Sequence, residues 1–411
     1  MGLNTKLSCA AGAVAAMCAS VNVHAQSSVT LYGVIDNTVE AVRTTGSNKV
    51  GGNVPMAFKD SSNSSLWGLR GKEELGNGLS AIFQIEYGFN ADTGSGPSGR
   101  DQFVGLRSDT LGTVQMGLMT TPMRGLGGKL NFIPGSTSIA NNIGIMTTLN
   151  GVQTNLNARL ANTIQYTTPD VLGGLSAQVV YSPGEGSVGP TNSSVSGSAG
   201  KPINGMYAWG AGTQFARGPI YAAYAYETRR GQALLGAGAG SAGMGVAGAG
   251  YSNDYEHRVA VRYEATWLSA GSTNFSVGWD RLGSKGIFGT GAAAGSGETY
   301  RDAFSISVMQ KVGAQDFIFS YSVARPLKCS GAAQFGQCSD AQREHTGAQQ
   351  MVFAYHYWLS QRTMLQAYVS RIHNGSFATY DYDVNPVVTA VANRTPGGSP
   401  IGVGLGIRHS F

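Results

Sequence analysis

Ser399-Pro-Ile-Gly-Val-Gly-Leu-Gly-Ile-Arg-His-Ser-Phe411 closes the sequence and decides its fold. Ile401, Val403, Leu405, Ile407 and Phe411 share one parity, broken only by His409. Gly402, Gly404, Gly406, Arg408 and Ser410 lie between them. Period-two alternation marks a strand with one apolar face and one small or polar face. An unpaired amphipathic edge of this kind invites aggregation, so it must pair. In a barrel its partner is the first strand, and Val29–Val39 supplies a matching one.

The same alternation recurs upstream. Ser64–Leu75 and Leu79–Ala91 flank Gly76-Asn77-Gly78, a tight-turn signal. Further pairs follow: 100–108 with 113–120, 159–168 with 175–181, 205–216 with 220–228, 254–268 with 272–282, 299–312 with 316–325, and 346–358 with 362–371. Seven short turns join these pairs, and eight longer stretches rich in Gly, Ser, Asn and Thr separate them, at 44–62, 92–99, 121–158, 183–204, 231–253, 286–298, 327–345 and 374–399. Fifteen connections make sixteen strands. Short turns at one end and long loops at the other is the plan of an outer-membrane barrel. The expected fold is therefore all-β, a 16-stranded antiparallel transmembrane β-barrel wide enough for an aqueous channel. A closed barrel satisfies every backbone group without an edge, as hydrocarbon requires.

Composition agrees. Charged residues are 12%, about half the usual share, while Gly is 60 of 411, about twice the average. Few charges without a long apolar run suits a wall facing lipid outward and small or polar inward. Residues 1–25 have a different character: Lys6, an apolar run to Val23, and a small-x-small site at Val23-His24-Ala25. We expect a cleaved signal peptide, leaving residues 26–411 as the barrel domain. Loss of Lys6 lowers the formal charge from +5 to +4, with no basic run to suggest nucleic acid. Of four cysteines, Cys329 and Cys338 remain, nine apart in an external stretch, and a disulfide is expected there. A metal site is not, because only His345 is near.

Five segments carry a family resemblance. Gln26-Ser-Ser-Val-Thr-Leu-Tyr-Gly-Val-Ile-Asp36, Trp67-Gly-Leu-Arg-Gly-Lys-Glu-Glu-Leu-Gly76, Phe103-Val-Gly-Leu-Arg107, Ala161-Asn-Thr-Ile-Gln-Tyr-Thr-Thr-Pro169 and Gly406–Phe411 resemble, in order and spacing, Gram-negative general porins of β-proteobacterial type. The resemblance implies homotrimers of sixteen-stranded, water-filled pores in the outer membrane. It implies passive diffusion of small hydrophilic solutes and ions, and no cofactor. Phe411 resembles the signal read by the outer-membrane assembly machinery. The third external loop, here 121–158, is expected to fold inward and narrow the channel. Its apolar residues, among them Leu126, Leu130, Phe132, Ile139, Ile145 and Met146, argue against a loop wholly in solvent.

The family's constriction arginines place Arg159 in the lumen, with Arg100 as a second candidate whose register leaves Asp101 as its alternative. Two further family arginines fall on Leu66 and Leu118, so only a weak anion preference is expected. Other charges of lumen parity are Arg70, Lys72, Arg258 and Arg262 against Asp36, Glu86, Glu264 and Asp280. Each either lines the pore or belongs to an ion-pair network in the wall. Charge rings of this kind set selectivity. The rival functions are a substrate-specific channel of the same fold, a barrel enzyme and a secreted β protein. No histidine among His257, His345, His356, His373 and His409 has a nucleophile context, so no enzyme is expected. Gly238-Ala-Gly-Ser-Ala-Gly243 spells a dinucleotide motif but lies between two strands without a helical pattern.

Overall fold

Alternating apolar and small residues, punctuated by turn residues, become sixteen antiparallel strands in a computed structural model. It describes residues 28–48, 51–154, 156–183, 207–233, 251–266, 271–288, 295–331, 338–382, 385–388 and 394–411. The expected signal peptide (1–25) and the glycine motif at 238–243 lie outside the described residues. The strands are β1 (Ser28–Thr45), β2 (Val54–Ser62 and Leu66–Gly76), β3 (Leu79–Gly88), β4 (Ser98–Ser108), β5 (Gly112–Thr120), β6 (Arg159–Thr167), β7 (Leu175–Pro183) and β8 (Tyr207–Arg217). They continue as β9 (Ile220–Ala233), β10 (Tyr251–Ala265), β11 (Ser272–Phe288), β12 (Gly295–Val312), β13 (Gln315–Ala324 and Lys328–Gly331), β14 (Ala348–Trp358), β15 (Thr363–Asn374) and β16 (Ser399–Ser410). Among the described residues no helix is long and apolar enough to cross a membrane, which says nothing of crossing by strands.

Closure falls where β16 meets β1, from Val34 opposite Ser410 to Thr45 opposite Ser399. The seam is thus displaced toward the loop end from the expected Val29–Val39. Staggered register, which every tilted barrel requires, leaves Ser28–Tyr32 bonded to β2 alone. Gly33 and Phe411 exchange backbone hydrogen bonds at 3.1 and 3.0 Å. The Phe411 ring lies over Gly33, where an added Cβ would sit 2.3 Å from it. Beyond the last residue of β2, Asn77 and Gly78 take φ of 51° and 72°, the left-handed pair that a tight hairpin needs.

The expected loop 44–62 is mostly strand. Val54–Ser62 continues β2 along β1, and the break comes at Asn63-Ser64-Ser65, with Ser64 at φ 62°. Strands β9 to β12 likewise run beyond their expected ends, because backbone ladder bonds persist where Gly and Ser hide the alternation.

Burial is inverted relative to a soluble protein. Val39, Phe58 and Leu405 are 63%, 79% and 69% exposed, while the alternating Asp36, Thr38 and Glu40 are buried. Apolar exposure suits lipid. The main apolar core instead joins residues of 121–158, including Met123, Leu130, Ile139 and Met146, to Ala225, Ala260, Ala303, Ile318 and Val352 of the strands.

Candidate functional site

Thr120 ends β5, and Thr121 caps the short helix α1 (Pro122–Gly127), its hydroxyl accepting from Arg124 N at 3.2 Å. The segment continues through α2 (Ile143–Met146) and a two-residue ribbon, Thr148–Leu149 with Val152–Gln153. Its backbone carbonyls are bound by strand side chains. Arg258 Nη1 donates to Met123 O at 2.9 Å, and Arg262 Nε and Ser276 Oγ donate to Lys129 O at 2.8 Å each. Arg301 Nε donates to Thr148 O at 2.7 Å, and Gln350 Nε2 to Asn141 O at 3.1 Å. These donors alternate with outward residues; Ser276, for example, adjoins the exposed Val277. Missing side chains let the segment approach. A Cβ on Gly278 would lie 2.5 Å from Leu130 Cδ2, and one on Gly402 would lie 2.6 Å from Ile139 Cδ1. Partial burial and the nearby Arg262 charge lower the Lys129 pKa from its ordinary value.

Arg258 and Asp280 belong to a sealed network. Arg258 pairs with Glu256 and, at 3.0 Å, with Asp280, which also receives Arg301 at 3.0 Å. Glu227 and Arg229 pair beside it at 2.9 Å. Arg258 is fully buried beneath Met123 and Asn157, and of the two places the sequence left open for it, it stands in the ion-pair network of the wall. Buried charges persist only when paired, and these are. Arg262 likewise serves the segment's carbonyls and stacks over Phe132 at 4.7 Å. Asp36 is also fully buried, accepting from Gln366 at 2.6 Å and from Arg408 at 2.8 Å, so it supports a lining residue without being one. Arg70 lies over the Tyr32 ring at 5.2 Å and Lys72 pairs with Glu74 at 2.5 Å, both outside the cavity described next.

That cavity, of 440 Å³, has wall residues on one side and segment residues on the other. Glu86, Arg100, Asp101, Arg159 and Arg408 come from the wall; Arg124, Asn141 and Asn157 come from the segment. Arg159 Nε donates to Asp101 Oδ1 at 2.7 Å and lies 3.9 Å from Glu86, which pairs with Arg100. Tyr32 donates to Glu86 at 2.9 Å, and Thr120 N and Oγ1 donate to Asp101 at 2.9 and 2.8 Å. A register shift between Ile85 and Tyr87 inserts one extra β4 residue, so Arg100 and Asp101 both face the cavity. The choice between them that the sequence left open is therefore not exclusive. Leu66 lines the cavity, whereas Leu118 lies over Gly99.

The structure brings together Arg159, Arg100 and Glu86 from the expected set and adds Arg124 and Arg408, which sequence reasoning missed. Arg408 had a usable signal, its lumen parity beside Ile407; Arg124 had none, since its segment lacks periodicity. Cys329 and Cys338 form a disulfide with Cα atoms 5.7 Å apart, packed on Leu149, Leu156 and Leu282.

A closed barrel with apolar residues outward and a charged cavity inside defines a membrane channel. The chain matches the Gram-negative porin family over residues 10–376 and belongs to it. It is 28% identical to an outer membrane porin protein of Bordetella pertussis, over 94% of this chain and 95% of the relative. Its fold matches the anion-selective porin from Comamonas acidovorans with a TM-score of 0.66 at 20% identity, over 94% of this chain and 100% of that one. It also matches in vitro folded OmpT of Vibrio cholerae, solved in a trimer form, with a TM-score of 0.60 at 12% identity, over 94% and 99%. The chain is an outer-membrane porin.

Proposed function

We propose that this porin is a homotrimeric pore for passive diffusion of small hydrophilic solutes and ions, with no catalytic step and a weak preference for anions. In this reading the segment 121–158 folds into the lumen and narrows it. The observation that carries it is the 440 Å³ cavity, where Arg100, Arg124, Arg159 and Arg408 outnumber Glu86 and Asp101. Charges converging on a narrow, low-dielectric gap focus the field and raise the local counter-ion concentration. The two carboxylates, each engaging an arginine, keep the preference weak.

Support for the trimer comes from the outer wall. Asp60 is exposed opposite Val39, and Val39 is opposite Leu405, so a carboxylate stands at the level of lipid-facing residues. A charge facing acyl chains is destabilising, and a subunit contact over β1, β2 and β16 removes it from lipid. Phe411, seated on Gly33 at the seam, fits a role as the mark read during assembly. The test is recording from purified protein in planar bilayers. Stepwise conductance and a reversal potential displaced modestly toward anions are expected. Absence of steps, or strong cation selectivity, overturns the proposal.

A further inference from the structure

The stretch 374–399, expected as an external loop, is buried over much of its described length. Ala378, Thr379, Tyr380, Asp381 and Tyr382 are all buried. Ala378, Tyr380 and Tyr382 share one apolar core with Ile139, Ile145 and Met146 of 121–158 and with Val352, Tyr368 and Ile372 of the wall. A tyrosine hydroxyl in such a core needs a partner, and Tyr382 Oη donates to Ser370 O of β15 at 2.7 Å. Asn374 Nδ2 donates to Tyr380 O at 2.8 Å. Asp381 folds the stretch on itself, accepting from the backbone N of Val387 and of Val388 at 3.0 Å each.

Its partner is the turn of the two-residue ribbon, Asn150-Gly151. Asn150 is fully buried at φ 49°, a left-handed conformation that asparagine tolerates. Its Oδ1 accepts from Thr379 N at 3.0 Å, and its Nδ2 donates to Phe377 O at 3.1 Å. The backbone takes part as well: Asn150 N donates to Tyr380 Oη at 3.2 Å, and Asn150 O accepts from Thr379 Oγ1 at 2.6 Å. The approach is so close that a Cβ added to Gly151 would sit 2.2 Å from Thr379 O. Arg394 Nη1 donates to Gly151 O at 2.9 Å, and Asn385 Nδ2 donates to Thr137 O at 2.9 Å. Buried backbone groups outside a ladder need such partners, and one amide that satisfies two irregular stretches fixes both.

We infer that the described part of 374–399 is a second constricting element. Clasped to Asn150-Gly151, it closes the side of the lumen in front of β14, β15 and β16 and leaves the arginine-lined cavity as the route for solute. This rests on the reading above, in which 121–158 narrows the lumen. Among the described residues, none that lines the cavity comes from 374–399, so the clasp acts by denying a second route. Asn150 and Arg394 are positioning residues. The closed side holds Glu40 and Asp381, both buried, with Lys59 3.3 Å from Glu40 and Arg394 3.8 Å from Asp381. Solute entering there would bypass Arg100, Arg124, Arg159 and Arg408 and the field they focus. Opening the clasp therefore admits larger solutes and weakens the anion preference together.

Liposome swelling with neutral sugars and reversal potentials in planar bilayers, both on the purified full-length protein, test this. Asn150→Gly keeps the left-handed backbone and its bonds and removes the amide; Arg394→Gln releases Gly151 O. Each variant should raise the entry rate of raffinose relative to glucose and move the anion-to-cation permeability ratio toward one, and the double variant should do so further. The folded band on electrophoresis should persist, because no strand is altered; should the double variant lose it, the single variants decide in the same way. Wild-type sugar selectivity in the folded variants overturns the second element. Faster raffinose with an unchanged ratio in Asn150→Gly, which alters no charge, overturns the bypass of the arginines. Arg159→Gln, measured in parallel, separates this inference from the reading beneath it. A ratio that responds to Arg159→Gln but not to the clasp variants overturns the second element alone, and a ratio indifferent to all three overturns both.

Discussion

Replacing Arg258 by Met should destabilise the barrel and loosen the segment 121–158 together. Its guanidinium makes four contacts: Asp280 at 3.0 Å, Met123 O and Asn157 Oδ1 at 2.9 Å each, and Glu256. Two of these hold the beginning and the end of the segment. The side chain is fully buried, so solvent does not weaken them. Asp280 keeps Arg301 at 3.0 Å, but Glu256 loses its cation and already has one buried oxygen without a partner. Breaking a buried pair by removing one side costs about 3–5 kcal/mol. Proton uptake by Glu256 limits the loss toward the lower end, since a buried carboxyl without a cation neutralises itself. The assay is thermal unfolding in detergent alongside single-channel recording. Arg258→Met should unfold at lower temperature and show added open-channel noise. Combining it with Glu256→Gln should recover part of the stability, because no charge is left buried alone, but none of the quietness, because the two segment contacts remain absent. Wild-type unfolding temperature and wild-type noise in Arg258→Met would refute the reasoning, and full recovery of both in the double variant would refute the anchoring half.

The other expectations concern selectivity, packing, closure and assembly. Arg159→Gln should lower the anion-to-cation permeability ratio, read from reversal potentials; the effect should fade as salt rises and the screening length shrinks from about 10 Å at 0.1 M to about 3 Å at 1 M. An unchanged ratio at low salt removes Arg159 from the constriction. Gly402→Leu should collide with Ile139 Cδ1 and Val42, overpacking by about 1–3 kcal/mol, and Ile139→Ala should relieve it; failure of that rescue in thermal unfolding argues against the contact. Gly33→Val should displace the Phe411 ring and lower the temperature at which the folded band is lost on electrophoresis, and an unaltered band would separate Phe411 from closure. Asp60→Lys should shift trimer to monomer on native gels, whereas an intact trimer would remove Asp60 from the subunit contact.

The strands were legible because a barrel wall repeats one rule, apolar outward and small or polar inward, and β16 displays it almost without interruption. Val54–Ser62 was not, since Lys59, Asp60, Ser61 and Ser62 resemble a loop; only the ladder with β1 makes them strand. The site was half legible. Arg159 could be placed by resemblance and parity. Arg100 and Asp101 could not both be placed, because a bulge adds one residue and periodicity counts only in twos. For Arg258 and Arg262 parity gave the inward direction and left their surroundings open. What covers these inward residues is a segment 101 to 135 positions away in sequence, which local pattern does not encode. Arg408 was visible in the closing strand and missed, because that strand's interest lay in its apolar face.

Two kinds of inward residue divide the wall, and the division sorts the expected consequences of mutation. Where 121–158 packs, the wall presents Gly212, Ala225, Ala260, Gly278, Ala303 and Gly402, small enough for Pro122, Leu130 and Ile139 to reach it. On the other side of the cavity it presents Glu86, Arg100, Asp101 and Arg159. In the reading proposed here, side-chain volume draws the segment to one side and charge lines the gap left on the other. Arg100 and Arg159 retain 21% and 14% of their side-chain exposure, whereas Arg258 and Arg301 retain none. Partial exposure lets water compensate a lost charge, so substitutions in the first pair should alter selectivity at little cost in stability. Full burial denies that compensation, so substitutions in the second pair should alter stability and the placement of the segment first, and selectivity only as a consequence. The four residues are all arginines of inward parity, and in that reading the segment between β5 and β6 decides which pair meets solute and which pair holds the structure.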